Sequence, residues 1–192
     1  MVYTITFRVT GISPMLQHNP AGSMKTGGSD KISIKKIPPP EEEAQAALYR
    51  LPSGQLYGPA DGLRQGIIFA SSGRRIGKLG LGRLIQGAVF VIDQNVPLVR
   101  PKTREPIMDL DEICIKPVVI GKVRVLRARP QINEWSGEVT FEYDPDFLKP
   151  QWILDTFIAA GKTQGWMDYR PNRRGSYGRY TVELVHFDEK ET

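Results

Sequence analysis

Residues 150–187 read PQWILDTFIAAGKTQGWMDYRPNRRGSYGRYTVELVHF, and three signals succeed one another in that stretch. Pro150 stands where helices start, and Trp152, Ile153, Phe157 and Ala160 recur at helical spacing up to Gly161, a residue suited to ending a helix. Tyr180, Val182, Leu184 and His186 then alternate with Thr181, Glu183, Val185 and Phe187, which is the period of a strand. A loop rich in glycine and arginine joins the two. Helix, loop and strand in that order form one half of a split βαβ unit.

The other half is sought toward the N-terminus. Tyr3, Ile5, Phe7 and Val9 alternate with Thr4, Thr6, Arg8 and Thr10, a half-buried strand ended by Gly11. Residues 18–39 are polar and basic without a period, so a long mobile loop is predicted. PPPEEEAQAALYR reads as a short helix with acids in its first turn, and LPSGQLYGP as a tight hairpin. Asp61 caps a helix over 61–72 that carries Leu63, Ile67 and Ala70 on one face. SSGRRIGKLGLGRL is too rich in glycine and cations for a core element, IQGAVFVI reads as a strand, and residues 73–112 as a whole read as an inserted basic arm. An extended run over 113–129 and EWSGEVTFEYD, residues 134–144, read together as a hairpin.

The resulting order, strand, helix, strand, strand, helix, strand, predicts an α+β chain. The expected fold is ferredoxin-like or RRM-like βαββαβ, a single domain with an antiparallel sheet, helices on one face and a large basic insertion after the first helix. In RNA-recognition modules of this topology the open sheet face and its loops meet nucleic acid.

Composition narrows the class. At 192 residues with 40% hydrophobic content the chain can bury a core. Cys114 stands alone in EICIKPVV, so a buried strand thiol is expected and no disulfide. The start, MVYTITFRVTG, lacks the features of a secretion signal, and no stretch approaches the ~20 apolar residues of a membrane span. A cytoplasmic protein away from membranes is expected. The net charge is +5, and its placement is uneven: residues 73–104 hold seven basic and one acidic residue, residues 161–180 five and one.

Chemistry-bearing residues collect in the same stretches. Arg170, Arg173, Arg174 and Arg179 are interleaved with Trp166, Tyr169, Tyr177 and Tyr180 among Gly175 and Gly178. Arginine binds phosphate bidentately, aromatics stack on bases, and glycine admits a sugar-phosphate backbone. The competing reading is a solvated loop whose aromatics anchor the core. Arg74, Arg75, Lys78 and Arg83, with Lys102 and Arg104, form a second cationic set that suits phosphate contacts or a merely solubilising surface. Lys25, Lys31 and Lys162 are further basic candidates, and Arg127 and Arg129 share one strand face. His18 and His186 are far apart and Cys114 has no nearby ligand partner, so neither a metal nor any other cofactor is expected. For catalysis the sequence offers His18 and Asp30, both in loops.

Two segments resemble a known family. LYGPADGLRQGIIFA, residues 56–70, is similar to the turn that opens the first helix of the RAMP superfamily, and GSYGRYTVEL, residues 175–184, to its glycine-rich loop and last strand. VTGISPMLQH, residues 9–18, resembles its first strand and following loop. That superfamily comprises RNA-binding backbone and processing subunits of CRISPR effector complexes on ferredoxin-like folds. The resemblance implies a backbone-type subunit arrayed with copies of itself along single-stranded RNA, beside other effector subunits. It carries Arg64 and Gly66 over from the helix-opening turn, Gly175, Gly178 and Arg179 from the glycine-rich loop, and places Asp30 where some members hold an RNA-cleaving aspartate.

The leading expectation is a non-catalytic binder of single-stranded RNA that oligomerises along it. The alternatives are a phage-type single-stranded DNA-binding protein, an RNA endonuclease using Asp30 or His18, and a scaffold whose basic loops hold an acidic protein.

Overall fold

The computed structural model describes residues 2–21, 38–120 and 123–190, so Lys25, Asp30 and Lys31 lie outside the described residues. In chain order the described elements begin with β1 (Val2–Gly11), β2 (Met15–Leu16), α1 (Pro40–Ala46), β3 (Tyr57–Pro59) and α2 (Ala60–Ala70). There follow β4 (Arg75–Ile76), β5 (Leu79–Gly80), α3 (Leu81–Ala88), β6 (Val89–Val91) and β7 (Asn95–Pro97). The chain continues through β8 (Glu112–Ile120), β9 (Val123–Ile132), β10 (Ser136–Tyr143), α4 (Pro150–Thr163), a turn of 3-10 helix at Pro171–Arg173 and β11 (Tyr180–Lys190).

Alternation in β1 organises the molecule. Ile5, Phe7 and Val9 are buried, while Thr6, Arg8 and Thr10 point to the opposite face. Hydrogen bonding on both sides gives a four-stranded antiparallel sheet in the order β11-β1-β10-β6. With α2 between β1 and β6 and α4 between β10 and β11, this is the expected α+β, ferredoxin-like arrangement. The two helices pack on each other and on one face of the sheet, where Phe7, Phe141 and Phe157 meet edge to face or tilted at 5.3–6.2 Å between centroids.

Three readings of the sequence change. The stretch 73–112, expected as an arm, contributes to the framework: α3 buries Leu81, Ile85 and Ala88, and β6 is an edge strand of the main sheet. Gly82 and Gly87 hide this helix from a propensity reading, but spacings of four and three residues put the apolar positions on one side. The run over 113–129 pairs within itself: β8 and β9 are antiparallel from Glu112↔Gln131 to Ile120↔Val123 and form a separate sheet with β2. β10, assigned to that hairpin, pairs with β1 and β6.

The third change concerns Gly161, which does not end α4, since the helix runs on to Thr163. A Cβ on Gly161 would lie 2.2 Å from the Tyr180 carbonyl oxygen, so this glycine lets β11 approach the helix. Gly165, with φ of +67°, takes the left-handed position after the last turn.

Candidate nucleic-acid interface

The loop between α4 and β11 is anchored by indole. Trp166 is buried, its Nε1 donates to the Pro59 carbonyl at 3.1 Å, and its ring lies 5.6 Å from that of buried Trp135. The backbone of Gly58 leaves the space for it, because a Cβ there would stand 2.2 Å from the ring. Backbone bonds then tie the loop to the turn after β1: Trp166 N–H to Gly178 O, Gly178 N–H to Pro14 O, and Ile12 N–H to Arg179 O, at 2.8–2.9 Å. Held this way, Met167, Tyr169 and Arg174 adopt φ of 71°, 48° and 62°. Such conformations cost about 1–3 kcal/mol each and persist where their surroundings impose them, commonly at ligand sites.

Gly175 and Gly178 serve this packing rather than the approach of a ligand. A Cβ would fall 1.6 Å from the Tyr169 carbonyl oxygen at the first and 1.9 Å from that of Trp166 at the second. Of the four aromatics in the segment, Trp166 and Tyr180 belong to the core, while Tyr169 and Tyr177 are half-buried.

Beside the loop runs a groove. Residues after β1 form its floor, clamped by Gln17 N–H to Pro130 O and Asn19 N–H to Ala47 O, and by the buried Gln17 amide, which donates to Tyr57 O and accepts from Tyr49 N–H. His18 is therefore held on a fixed segment. Asp168 N–H donates to Leu16 O, bringing the loop alongside. Two adjoining cavities of about 220 and 310 Å³ share His18, Asp168 and Arg170; Tyr49 and Trp166 line the first, Arg129 and Arg173 the second.

Carboxylates organise the cations here. Buried Glu43, from the first turn of α1, accepts from Arg127 Nε and from Ala128 N–H, and lies 3.7 Å from Arg129. Arg129 Nε donates to Asp168 at 2.9 Å. Arg127 and Arg129, which the strand pattern put on one face, are thus neutralised and serve to fix Asp168. Arg170 differs: burial first, and then the neighbouring Arg173, disfavour its charge, although Asp168 opposes them. An anion in the groove relieves that repulsion. Arg173 lines the second cavity from an exposed position, while Arg174, Arg179 and Lys162, in the last turn of α4, are exposed outside it. On the hairpin side, Tyr169 Oη donates to Pro117 O, Tyr177 Oη lies 3.6 Å from Cys114 Sγ, and Lys116 Nζ sits 5.4 Å over the Tyr177 ring.

His18 supplies a pH test. Its Nδ1 is 3.8 Å from Asp168, yet burial, followed by Arg129, holds its pKa below the ordinary histidine value, so the ring is neutral at pH 7. A depressed histidine pKa means that the unfolded chain binds the proton first; this part of the stability is present above about pH 6.5 and is lost as pH falls below it. Bound phosphate acts in the opposite sense and raises the pKa. Affinity of the groove for a phosphate-bearing ligand is therefore expected to rise by up to about tenfold between pH 7.5 and 5.5, with proton uptake, and His18→Gln to flatten the profile. Titration calorimetry in buffers of different ionisation enthalpy measures this; a profile unchanged in His18→Gln excludes His18 from the contact.

Other candidate residues lie elsewhere. Arg64 Nε and Nη2 donate to the Val89 and Gln86 carbonyls, both at 2.7 Å, closing the end of α3. Gly66 is buried against α4 and Tyr180. Arg74 and Arg75 line a cleft with the first turns of α4 and not the groove, and Lys78 and Arg83 are exposed. Lys102 is exposed in a turn, and Arg104 is paired with Glu138. The open sheet face presents Thr6, Thr10, Thr140, Glu138, Glu142 and Glu183, with Arg8 spanning Glu138 and Glu183. The carboxylates of Glu138, Glu142 and Glu183 repel phosphate, so the loops suit nucleic acid better than the sheet face. Sequence reasoning missed Glu43, Tyr49 and Asp168. The available signal was Asp168, the single acid among five cations over 161–180.

Among the described residues there is no group of three or more side chains suited to hold a metal, and no helix long and apolar enough to cross a membrane. No family model and no curated protein matches the chain. Among solved structures, a chain from the cryo-EM structure of the Type III-B Cmr-beta bound to cognate target RNA matches with a TM-score of 0.51 and 13% identity. The match covers 97% of this chain and 60% of that one, so this chain spans somewhat under two thirds of its length; at that identity the likeness is one of fold.

Proposed function

We propose that this chain binds single-stranded RNA in the groove between the Gly/Arg loop and the segment after β1, as a non-catalytic subunit of a CRISPR-type ribonucleoprotein. The observation that carries the reading is the convergence of His18, Arg170 and Arg173 on one groove whose acid, Asp168, is already engaged by Arg129. A cleft with cations in excess and half-buried tyrosines at its edge suits a phosphate backbone with unstacked bases. The fold shared with a chain of an RNA-bound Cmr complex agrees with it. In the finer form of the proposal, copies of the chain line up on one strand beside other effector subunits.

Matched RNA and DNA oligonucleotides, titrated by fluorescence anisotropy over a salt series, test this. RNA is expected to bind more tightly, through its 2′-hydroxyls, and to weaken steeply with salt. Labelled RNA is expected to remain intact in the presence of Mg²⁺. Tighter binding to DNA, cleavage of the RNA, or affinity indifferent to salt would each overturn the proposal.

A further inference from the structure

The strongest feature that the proposed function leaves unused is a cleft of about 310 Å³ at the opposite end of α4, where the β4–β5 hairpin meets the first turns of the helix. Arg74 and Arg75 stand on one side, Trp152 and Asp155 on the other, and Ile76 forms part of the floor. Among the described residues neither guanidinium is ion-paired, although Asp155 shares the cleft. Asp155 instead accepts from the Gln151 amide at 2.7 Å through one oxygen. Lys149, which lines a neighbouring cavity, sits 5.6 Å from the Trp152 ring. Opposite charges that line one cleft without touching call for a ligand carrying both an anion and a hydrogen-bond donor edge. An aromatic wall adds the need for a flat ring.

The geometry points to a nucleotide site with a preference for guanine. The base stacks on Trp152, its phosphate lies between Arg74 and Arg75, and Asp155 accepts from the base edge. Guanine is the base whose N1–H and N2–H₂ stand side by side as donors facing a carboxylate. Uracil offers one N–H between two carbonyl oxygens, which repel the acid, while adenine and cytosine offer one amino group beside an acceptor. The ligand is either a free nucleotide or a guanosine within an RNA strand. This site is separate from the groove and does not depend on it.

Tryptophan fluorescence reads the site, because Trp152 is half-buried at the cleft while Trp135 and Trp166 are 0% and 1% exposed, and Trp152→Leu separates its signal from that of Trp166, which lines the groove. GMP is expected to quench emission at concentrations about tenfold lower than UMP, the discrimination of one good bidentate pair. Asp155→Asn, an exposed change that spares the fold, is expected to erase that difference, and Trp152→Leu the quench itself. Arg173→Glu with Arg174→Glu is expected to leave the quench unchanged, which separates this site from the groove. Displacement of GMP by a guanosine-containing oligoribonucleotide identifies the strand as the source, and failure to displace it identifies the free nucleotide. No quenching by any nucleotide at millimolar concentration, or equal quenching by all four that survives in Asp155→Asn, overturns the inference.

Discussion

Trp166→Ala is expected to lower the stability of the protein by about 3–5 kcal/mol, the cost of truncating a fully buried indole. For a chain of 192 residues that corresponds to a fall in Tm of roughly 10 °C. Three losses combine. The side chain fills the notch at Gly58, its Nε1–H satisfies the Pro59 carbonyl, and its ring packs on Trp135. The variant is also expected to lose RNA affinity, because the positive φ angles of Met167 and Tyr169 no longer have the anchor that imposes them. Circular dichroism melts give the first effect and anisotropy below the lowered Tm the second. Trp166→Phe should recover part of the stability but not the hydrogen bond to Pro59. A change under about 1 kcal/mol would show that the loop is held by its backbone bonds alone.

Arg173→Glu with Arg174→Glu carries the largest expected effect on binding. Both side chains are exposed, and Arg174 follows the 3-10 turn in a left-handed conformation, so reversal of their charges leaves the core untouched. Each phosphate contact on a single strand contributes about 0.7 to the slope of log affinity against log salt, so two lost contacts flatten it by about 1.4. The affinity itself is expected to fall about 100-fold or more at low salt, equally for unrelated sequences, because phosphate contacts carry no base information. A double variant that keeps both the affinity and the slope of the parent would remove the Gly/Arg loop from the interface.

The ends of the fold were legible because their signals are periodic. Alternation in β1 and β10 and helical spacing in α2 and α4 fix the sheet faces and helix stripes, and the ferredoxin-like order follows. Two features defeated that reading. In α3 the glycines mask a short amphipathic turn whose apolar side is completed by contacts with α2 and β6. Between β8 and β9 only Gly121 and Lys122 separate two extended runs, so periodicity alone does not say that the chain folds back there. The site was legible as composition and not as geometry. The arginines near the C-terminus stood out, but the acids that order the groove come from α1 and from within the loop. Pairing between residues separated by 84 positions leaves no local trace. The glycines misled in the other direction: Gly175 and Gly178 looked like room for a ligand, and the room is occupied by the loop's own carbonyls.

The pairing of β1 with β11 also sets a timetable. Residues Val2–Gly11 find one of their two partners at Tyr180–Lys190, which makes much of the sheet depend on contacts between distant parts of the chain. Such topologies fold on the slower, millisecond-to-second scale, because loop closure precedes any gain from the contact. Both walls of the groove flank these two strands, and Gly178 and Arg179 are joined to Pro14 and Ile12 at the same junction. During synthesis the N-terminal wall waits, incomplete, until the last strand has emerged. The groove is therefore complete only once both ends of the chain have come together, and a chain halted before β11 carries no finished groove.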